Sequence, residues 1–475
     1  MKCLFDRLTG EKGFNPYPYQ EKVAGHLLEG KNVFLCAPTG AGKTWAALLP
    51  YIWARKQGIS FVDRLIYVLP LRTLATTLYA ETVNCCKRIS AVKNLPDERT
   101  NLEDEIVITI QTGEQKNDPF FEGDIIFTTI DQYLSSYMNC PVSLPPKRLG
   151  NINAGALLGS LIVFDEFHLL EPDKAMQTAI EMLERLKPFS QFVIMTATLT
   201  TRSHELLQGI LGGETIRLTG DEVLALPSHK EKQRIYRWIK RPLTADDILN
   251  QHNGKRSIVI LNTVTRAQNI FKELKRRLKD SNTKLLLLHS RFYSEDRKET
   301  EDDLKVWFGK DAEKSDVILV TTQVVEAGID ISADNLHTEL APLNSIVQRA
   351  GRCARYEGEH GIGTVWIYEL GTNKKGEPDL GPYRDNEQKA LVADTRAVLE
   401  QLPDDGAVLD FMAELERLDK VHSNLEAKHL ESYQQNQYAL KTKIHEAMDG
   451  RNEAAISSLL KNPHFDLFNS MYLWY

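Results

Sequence analysis

Ala37-Pro38-Thr39-Gly40-Ala41-Gly42-Lys43-Thr44 follows the apolar run Val33-Phe34-Leu35-Cys36 and opens the helix-compatible stretch WAALLPYIWA. A glycine-rich turn between a strand and a helix lets successive backbone N–H groups curl around phosphate oxygens at the helix N-terminus. In such a cradle, residues 37–44 hold a nucleoside triphosphate, Lys43 reaching its β- and γ-phosphates and Thr44 ligating Mg²⁺. Ala37 stands where the first glycine of the pattern is often found. Further along, Leu161-Ile162-Val163-Phe164 leads into Asp165-Glu166-Phe167-His168. Four apolar residues followed by two acids put the carboxylates at the carboxyl end of a buried strand, where α/β sheets bind ligands. Asp165 suits the Mg²⁺ shell, and Glu166 suits orientation and deprotonation of an attacking water.

The elements around these residues alternate. Short β-branched runs at 32–37, 64–70, 105–110, 124–130, 160–166 and 191–198 are each followed by a stretch of helical character. That alternation predicts a parallel sheet covered on both faces. A loop-rich patch, Thr219 to Lys232, interrupts it, and a second set follows at 234–240, 257–263, 284–289, 316–322 and 364–370. The reading is therefore α/β, with one domain over 1–228, a second over 229–381 and a helical, strand-free region over 382–475.

Bulk properties narrow the classes. A length of 475 residues exceeds one ordinary core, and 42% hydrophobic with 26% charged residues is the balance of a soluble globular protein. With 58 basic against 65 acidic residues the net charge is −7, so a nucleic acid must be gripped in a local groove. The six cysteines form no CxxC pair, which points to reduced thiols in a cytoplasmic setting. No signal-like h-region or membrane-length apolar run is visible, and a membrane partner is not expected.

The order of these motifs resembles that of superfamily 2 DExH/D-box helicases over roughly residues 14–370. The resemblance implies two tandem RecA-like domains, ATP and Mg²⁺ as cofactors, and specific site residues. Asn15-Pro16-Tyr17-Pro18-Tyr19-Gln20 resembles the adenine-recognition motif, with Gln20 on the base edge. Pro70-Leu71-Arg72-Thr73-Leu74 and Thr128-Thr129-Ile130-Asp131-Gln132 resemble motifs that touch the tracked strand, implying Arg72, Thr73 and Thr129 as backbone contacts. Thr196-Ala197-Thr198 sits where the family has Ser-Ala-Thr, so that Thr196, Thr198 and His168 are implied to couple hydrolysis to movement. In the second domain Thr263 and Thr322 are implied strand contacts, with Gly328 and Asp330 at the nucleotide. Gln348-Arg349-Ala350-Gly351-Arg352-Cys353-Ala354-Arg355 resembles the final motif. It implies a catalytic Gln348 and two arginine fingers, Arg352 and Arg355, which the spacing of three puts on one helix face.

Leu288-His289-Ser290-Arg291-Phe292, the stretch Thr322 to Ile331 and the pair Asp131-Gln132 resemble, more narrowly, the CRISPR-associated helicase of type I systems. That family travels along single-stranded DNA and is recruited to an R-loop by a guide-RNA surveillance complex. Its usual partner is an HD-type nuclease, yet none of the twelve histidines here is followed by Asp, so the nuclease is expected on a separate subunit. His204, His229, His252 and His464 read as packing or surface residues. Lys272–Lys279 reads as a solvated helix face because Phe271, Leu274 and Leu278 take core spacing, and Lys147 and Arg148 are candidate channel charges. Two other readings share the motifs: an RNA-remodelling ATPase, and an ATP-gated nucleic-acid clamp with little turnover.

Overall fold

The computed structural model describes residues 15–88, 92–93, 106–144, 150–226, 229, 233–310, 312, 315–326, 328–356, 362–372, 376–450 and 453–460. Glu105, Lys147, Arg148, Ala327 and His464 lie outside the described residues. The chain divides into two compact units, Met1–Leu218 with Glu426–Tyr475, and Thr219–Leu425.

The first unit carries an eight-stranded sheet: β1 (Val33–Cys36), β2 (Arg64–Leu69), β3 (Val92–Lys93), β4 (Ile106–Gln111), β5 (Ile125–Thr129), β6 (Ser160–Phe164), β7 (Gln191–Thr196) and β8 (Glu214–Arg217). Its order is β3-β4-β5-β2-β6-β7-β1-β8, and every neighbouring pair is parallel. Strands β1, β5 and β6 are buried along their whole length, as expected of strands covered on both faces. Helix α1 (Pro18–Leu28) precedes β1, and the crossovers are α2 (Lys43–Gln57), α3 (Arg72–Lys87), α4 (Ile130–Tyr137), α5 (Gly150–Ala156), α6 (Gln177–Leu186) and α7 (Thr201–Leu211). Because β2, β6, β7 and β1 are consecutive and parallel, the loops leaving their carboxyl ends stand in one row on one rim of the sheet.

The second unit has a seven-stranded sheet of order β11-β12-β10-β13-β14-β9-β15, all parallel except the edge pair β15/β9. Its strands are β9 (Gln233–Pro242), β10 (Arg256–Ile260), β11 (Lys284–Leu288), β12 (Val317–Thr321), β13 (Asn335–Glu339), β14 (Ile362–Glu369) and β15 (Ala407–Val408). Helices α8 (Gly220–Leu224), α9 (Ala245–His252), α10 (Val264–Arg277), α11 (Ser294–Phe308), α12 (Leu343–Ala350) and α13 (Asn386–Leu399) complete it. Leu274 of α10 is fully buried beside Ile248, Ile318 and Val320, so the basic run around it does cover a core-facing stripe.

Strands β3, β8 and β13 are additional to the expected sets, and three further features differ from the expectation. The patch from Thr219 contains α8, whose Thr219 N-cap and Glu222 form a reciprocal capping box. A strand, β15, occurs beyond residue 381. The C-terminal helices do not stand apart: α14 (Phe411–Gly450) contributes its first turns to the second unit, while its remainder and α15 (Glu453–Leu460) belong to the first. There Leu430, Tyr433, Leu440, Ile444, Ala447, Ile456 and Leu459 share one hydrophobic core with Tyr133, Ile180 and Leu183.

Candidate functional site

The loop after β1 turns through two left-handed glycines, Gly40 (φ 80°) and Gly42 (φ 85°), the latter immediately preceding α2. A side chain at Gly42 would be strained, and its Cβ would meet Gln20 Nε2 at 3.0 Å. The N-terminal helix clamps this loop: Tyr19 donates its hydroxyl to the Ala41 carbonyl at 2.6 Å, and Gln20 Nε2 donates to the Gly42 carbonyl at 2.9 Å. The other end of the Gln20 amide accepts from the Tyr17 N–H at 2.9 Å, leaving the side chain 2% exposed. Ala37 is buried and its N–H donates to the Thr196 carbonyl at 3.3 Å, Pro38 accepts from the Ala41 N–H, and Thr39 and Thr44 are half-buried. Lys43 is 8% exposed, with Nζ donating to the carbonyls of Ala37 (3.1 Å) and Pro38 (3.4 Å) and lying 3.9 Å from Glu166 Oε1.

The two acids follow β6 on the same rim. Asp165 accepts the Tyr67 hydroxyl at 2.8 Å, and burial, then the Glu166 carboxylate, push its carboxyl up to about 6 against the pull of Lys43. Tyr67 was missed because a tyrosine inside an apolar strand reads as core, although its hydroxyl must find a partner when buried. Glu166 adopts a left-handed backbone (φ 51°, ψ 45°), unusual for a non-glycine residue and a feature that clusters at functional sites. His168 Nδ1 is 2.8 Å from the Thr196 hydroxyl and 3.6 Å from Glu166 Oε2, while Thr198 N–H donates to the same Thr196 oxygen at 3.3 Å. Sequence spacing thus brings Lys43, Asp165, Glu166, His168 and Thr196 together on one rim. Arg72, at the start of α3, pairs with Glu114 at 3.2 Å; Thr73 is half-buried, and Thr129 is buried at the end of β5. Thr44 at the start of α2 and Asp165 after β6 both offer oxygen, the donor type that a hard divalent cation takes.

In the second unit the final motif departs from the expected helix. Helix α12 ends at Ala350, and residues beyond Gly351 are drawn onto the 332–333 segment: Ala333 N–H donates to the Arg352 carbonyl, and Ala354 N–H to the Ala333 carbonyl, both at 2.9 Å. Ala354 is left-handed (φ 46°). Arg352 and Arg355 therefore do not lie on one helix face; bridge pairing of the intervening backbone overrides the helical spacing. Arg352 donates to the carbonyls of Val325 and Glu326, both at 2.9 Å, and Arg355 pairs with Asp330 at 2.6 Å. Gln348 is half-buried on α12. Arg349, a residue to which no role was assigned, is fully buried and bonds Glu326, Thr338 and Tyr383 at 2.7, 2.8 and 3.1 Å. Thr263 caps α10, accepting from Arg266 N–H at 3.3 Å; Thr322 is buried after β12, and Gly328 is left-handed (φ 86°). Of the isolated histidines, His204 and His252 are buried and His229 is half-buried. No group of three or more His, Cys, Asp or Glu able to hold a metal occurs among the described residues. Nor is any helix among them long and apolar enough to cross a membrane.

Residues 17–207 match the DEAD/DEAH box helicase family, and residues 253–358 match the C-terminal part of the CRISPR-associated nuclease/helicase Cas3. The CRISPR-associated helicase Cas3 of Thermoproteus tenax is 29% identical over 419 residues, spanning 85% of this chain and 66% of its own. The putative CRISPR-associated nuclease/helicase Cas3 of Methanocaldococcus jannaschii is 27% identical over 365 residues, spanning 72% of this chain but 47% of its own. The chain thus spans about half to two thirds of the length of these two relatives. The crystal structure of T. fusca Cas3 with ATP shares its fold, with a TM-score of 0.68 at 19% identity over 98% of this chain and 57% of that one. With both halves of the motif series matched in order, the chain is similar to the CRISPR-associated Cas3 helicases and carries a DEAD/DEAH box helicase match over its first half.

Proposed function

We propose that this chain hydrolyses ATP to travel along single-stranded DNA in CRISPR interference, unwinding target DNA for a nuclease supplied in trans. The observation that carries the reading is the meeting of Lys43, Asp165 and Glu166 beyond the carboxyl ends of β1 and β6, the two strands that flank β7, with Lys43 Nζ 3.9 Å from Glu166 Oε1. In this reading the backbone N–H groups of residues 39–44 bind the phosphates, and Lys43 leaves the Ala37 and Pro38 carbonyls to meet them. Thr44 and Asp165 would hold Mg²⁺, which when bound neutralises charge on the β- and γ-phosphates. Glu166 takes the proton of the attacking water, and His168 passes its state to Thr196 through their hydrogen bond. Arg72, Thr73, Thr129, Thr263 and Thr322 are proposed strand contacts. Gln20, Gly328 and Asp330 are proposed nucleotide contacts, and Gln348, Arg352 and Arg355 are proposed to serve turnover.

One relative in structure, a CRISPR RNA-guided surveillance complex in a pre-nicking state, has a TM-score of 0.60 at 20% identity over 88% of this chain. A guide-RNA complex is accordingly the proposed recruiter, and a separate HD nuclease the proposed partner. The test is hydrolysis by the purified chain with single-stranded DNA, with RNA, or with neither, with Lys43→Ala as control. Stimulation chiefly by DNA, falling steeply with salt, is expected. Stimulation by RNA alone would move the substrate to RNA, and absence of turnover would leave an ATP-gated clamp. With a divalent metal the chain should leave single-stranded DNA intact; nicking that persists in Lys43→Ala would overturn the trans-nuclease reading.

A further inference from the structure

The turn that carries Ala197, Thr198 and Leu199 is buried throughout and pinned at both ends. At its start Thr196 is held by His168 and by the Ala37 N–H. At its end the chain enters α7 through Thr200, whose own side chain accepts the Ser203 N–H at 3.4 Å, long for such a cap. The stronger tie comes from far along the sequence. Glu426, on α14, presents Oε2 to the Thr200 N–H at 3.1 Å, to the Thr200 hydroxyl at 2.8 Å and to the Ser203 hydroxyl at 2.8 Å. A carboxylate here meets three donors at the positive end of α7, and hydrogen bonds to an ionised acceptor are about twice as strong as neutral ones. Thr200 and Ser203 are buried, and apart from the carboxylate their two hydroxyls bond each other, at 2.8 Å. A second tie, Arg202 to Glu431 at 2.8 Å, is half exposed and contributes little.

From this geometry we infer that Glu426 is a positioning residue for ATP hydrolysis: it fixes the entry to α7 and so the turn whose first hydroxyl, on Thr196, is bonded to His168. In this role Glu426 acts through its bonds to Thr200 and Ser203 rather than on the reacting groups. It sets the rigidity of the element through which a change at Glu166 and His168 reaches Thr198. The functional half of this role rests on the ATPase reading, and its structural half on the three bonds of Glu426.

The experiment uses the full chain carrying Glu426→Ala or Glu426→Gln, with Glu431→Ala as control. Two readouts are taken: amide hydrogen exchange over residues 196–203, and the split of DNA-stimulated hydrolysis into kcat and KM. Glu426→Ala should speed exchange in that segment while the rest of the first unit keeps its protection. It should lower stimulated kcat about 10- to 100-fold, the scale of a displaced catalytic element, with KM for ATP held within about twofold. Glu426→Gln should fall between it and the parent, and Glu431→Ala should match the parent in both readouts. Exchange that quickens evenly across the unit, or rates and exchange at parent levels in Glu426→Ala, would overturn the inference. A parent chain that hydrolyses no ATP would refute the ATPase reading and with it the kinetic half. The exchange pattern would still decide whether Glu426 holds the turn.

Discussion

Glu166→Gln separates the proposed base from its surroundings. The side chain is 20% exposed, with Oε1 3.9 Å from Lys43 Nζ and Oε2 3.6 Å from His168 Nδ1. Glutamine keeps its length and planar end but has neither charge nor basicity. Losing a positioned general base lowers kcat by about 10²–10⁴-fold, or about 3–5 kcal/mol of barrier. The second effect runs the other way. At 3.9 Å the Lys43–Glu166 attraction is about 4 kcal/mol gross in an effective dielectric of about 20, much of it offset by desolvation. If a quarter survives, about 1 kcal/mol of competition for the lysine vanishes, and nucleotide binding tightens roughly fivefold. The variant should therefore bind ATP as well as or better than the parent while barely turning it over. Equilibrium titration with a fluorescent ATP analogue, beside single-turnover hydrolysis with single-stranded DNA, measures both. Hydrolysis at the parent rate would remove Glu166 from the chemistry. Binding that weakens in step with the rate would make its role structural.

Gln20→Ala removes the 2.9 Å bond to the Gly42 carbonyl and its counterpart from Tyr17 N–H, a loss of about 1–3 kcal/mol for two neutral bonds. If Gln20 also meets the adenine edge as proposed, KM for ATP should rise more than KM for GTP in steady-state assays; an equal rise would confine Gln20 to holding the loop. Tyr433→Ala opens a cavity in the core of the first unit and strips hydrogen bonds to Glu181 and Glu184, costing about 3–5 kcal/mol. Calorimetry should show the transition of that unit falling while the other stays, and the reverse would refute the division at residue 425. Burial pushes the His337 imidazole down to about 3, so between there and its ordinary 6.5 only the unfolded chain takes up the proton. Its contribution is complete above about pH 6.5 and is lost as pH falls toward about 3. His337→Gln should flatten the acid limb of urea unfolding by up to about 1.4 kcal/mol per pH unit; an unchanged slope would refute the burial argument.

The rim with Lys43, Asp165, Glu166 and Thr196 was legible because each residue follows an apolar run that could only be an inner strand. Strand β13 was not, since Asn335-Leu336-His337-Thr338-Glu339 reads as polar. It is nevertheless buried in the middle of its sheet, because long-range partners satisfy it: Tyr368 for His337, Arg349 for Thr338, and Arg266 with the Asn262 N–H for Glu339. Arg349 and Tyr67 escaped for the same reason, their partners being remote in sequence. Helical spacing failed at Arg352 and Arg355 where backbone pairing with Ala333 ended α12 early. The helical character of α14 was plain, but a 40-residue helix does not announce which of its turns serve which unit. That is decided by Leu430, Tyr433 and Ile444 finding a core built some 250 residues upstream, as in the Tyr433–Glu181 bond.

The interleaving of the chain also sets an order of assembly. Residues 219–425 are contiguous and can collapse as soon as they emerge during synthesis, whereas the unit begun at the N-terminus waits for residues from 426 onward. At ordinary ribosomal speeds that wait is on the order of tens of seconds. Throughout it, the hydrophobic surfaces of α4 and α6 destined for α14 and α15 are bare and offer a binding site to chaperones. A gene fragment ending before residue 426 would leave those surfaces uncovered for good, so its product should aggregate even though it carries every motif of the series.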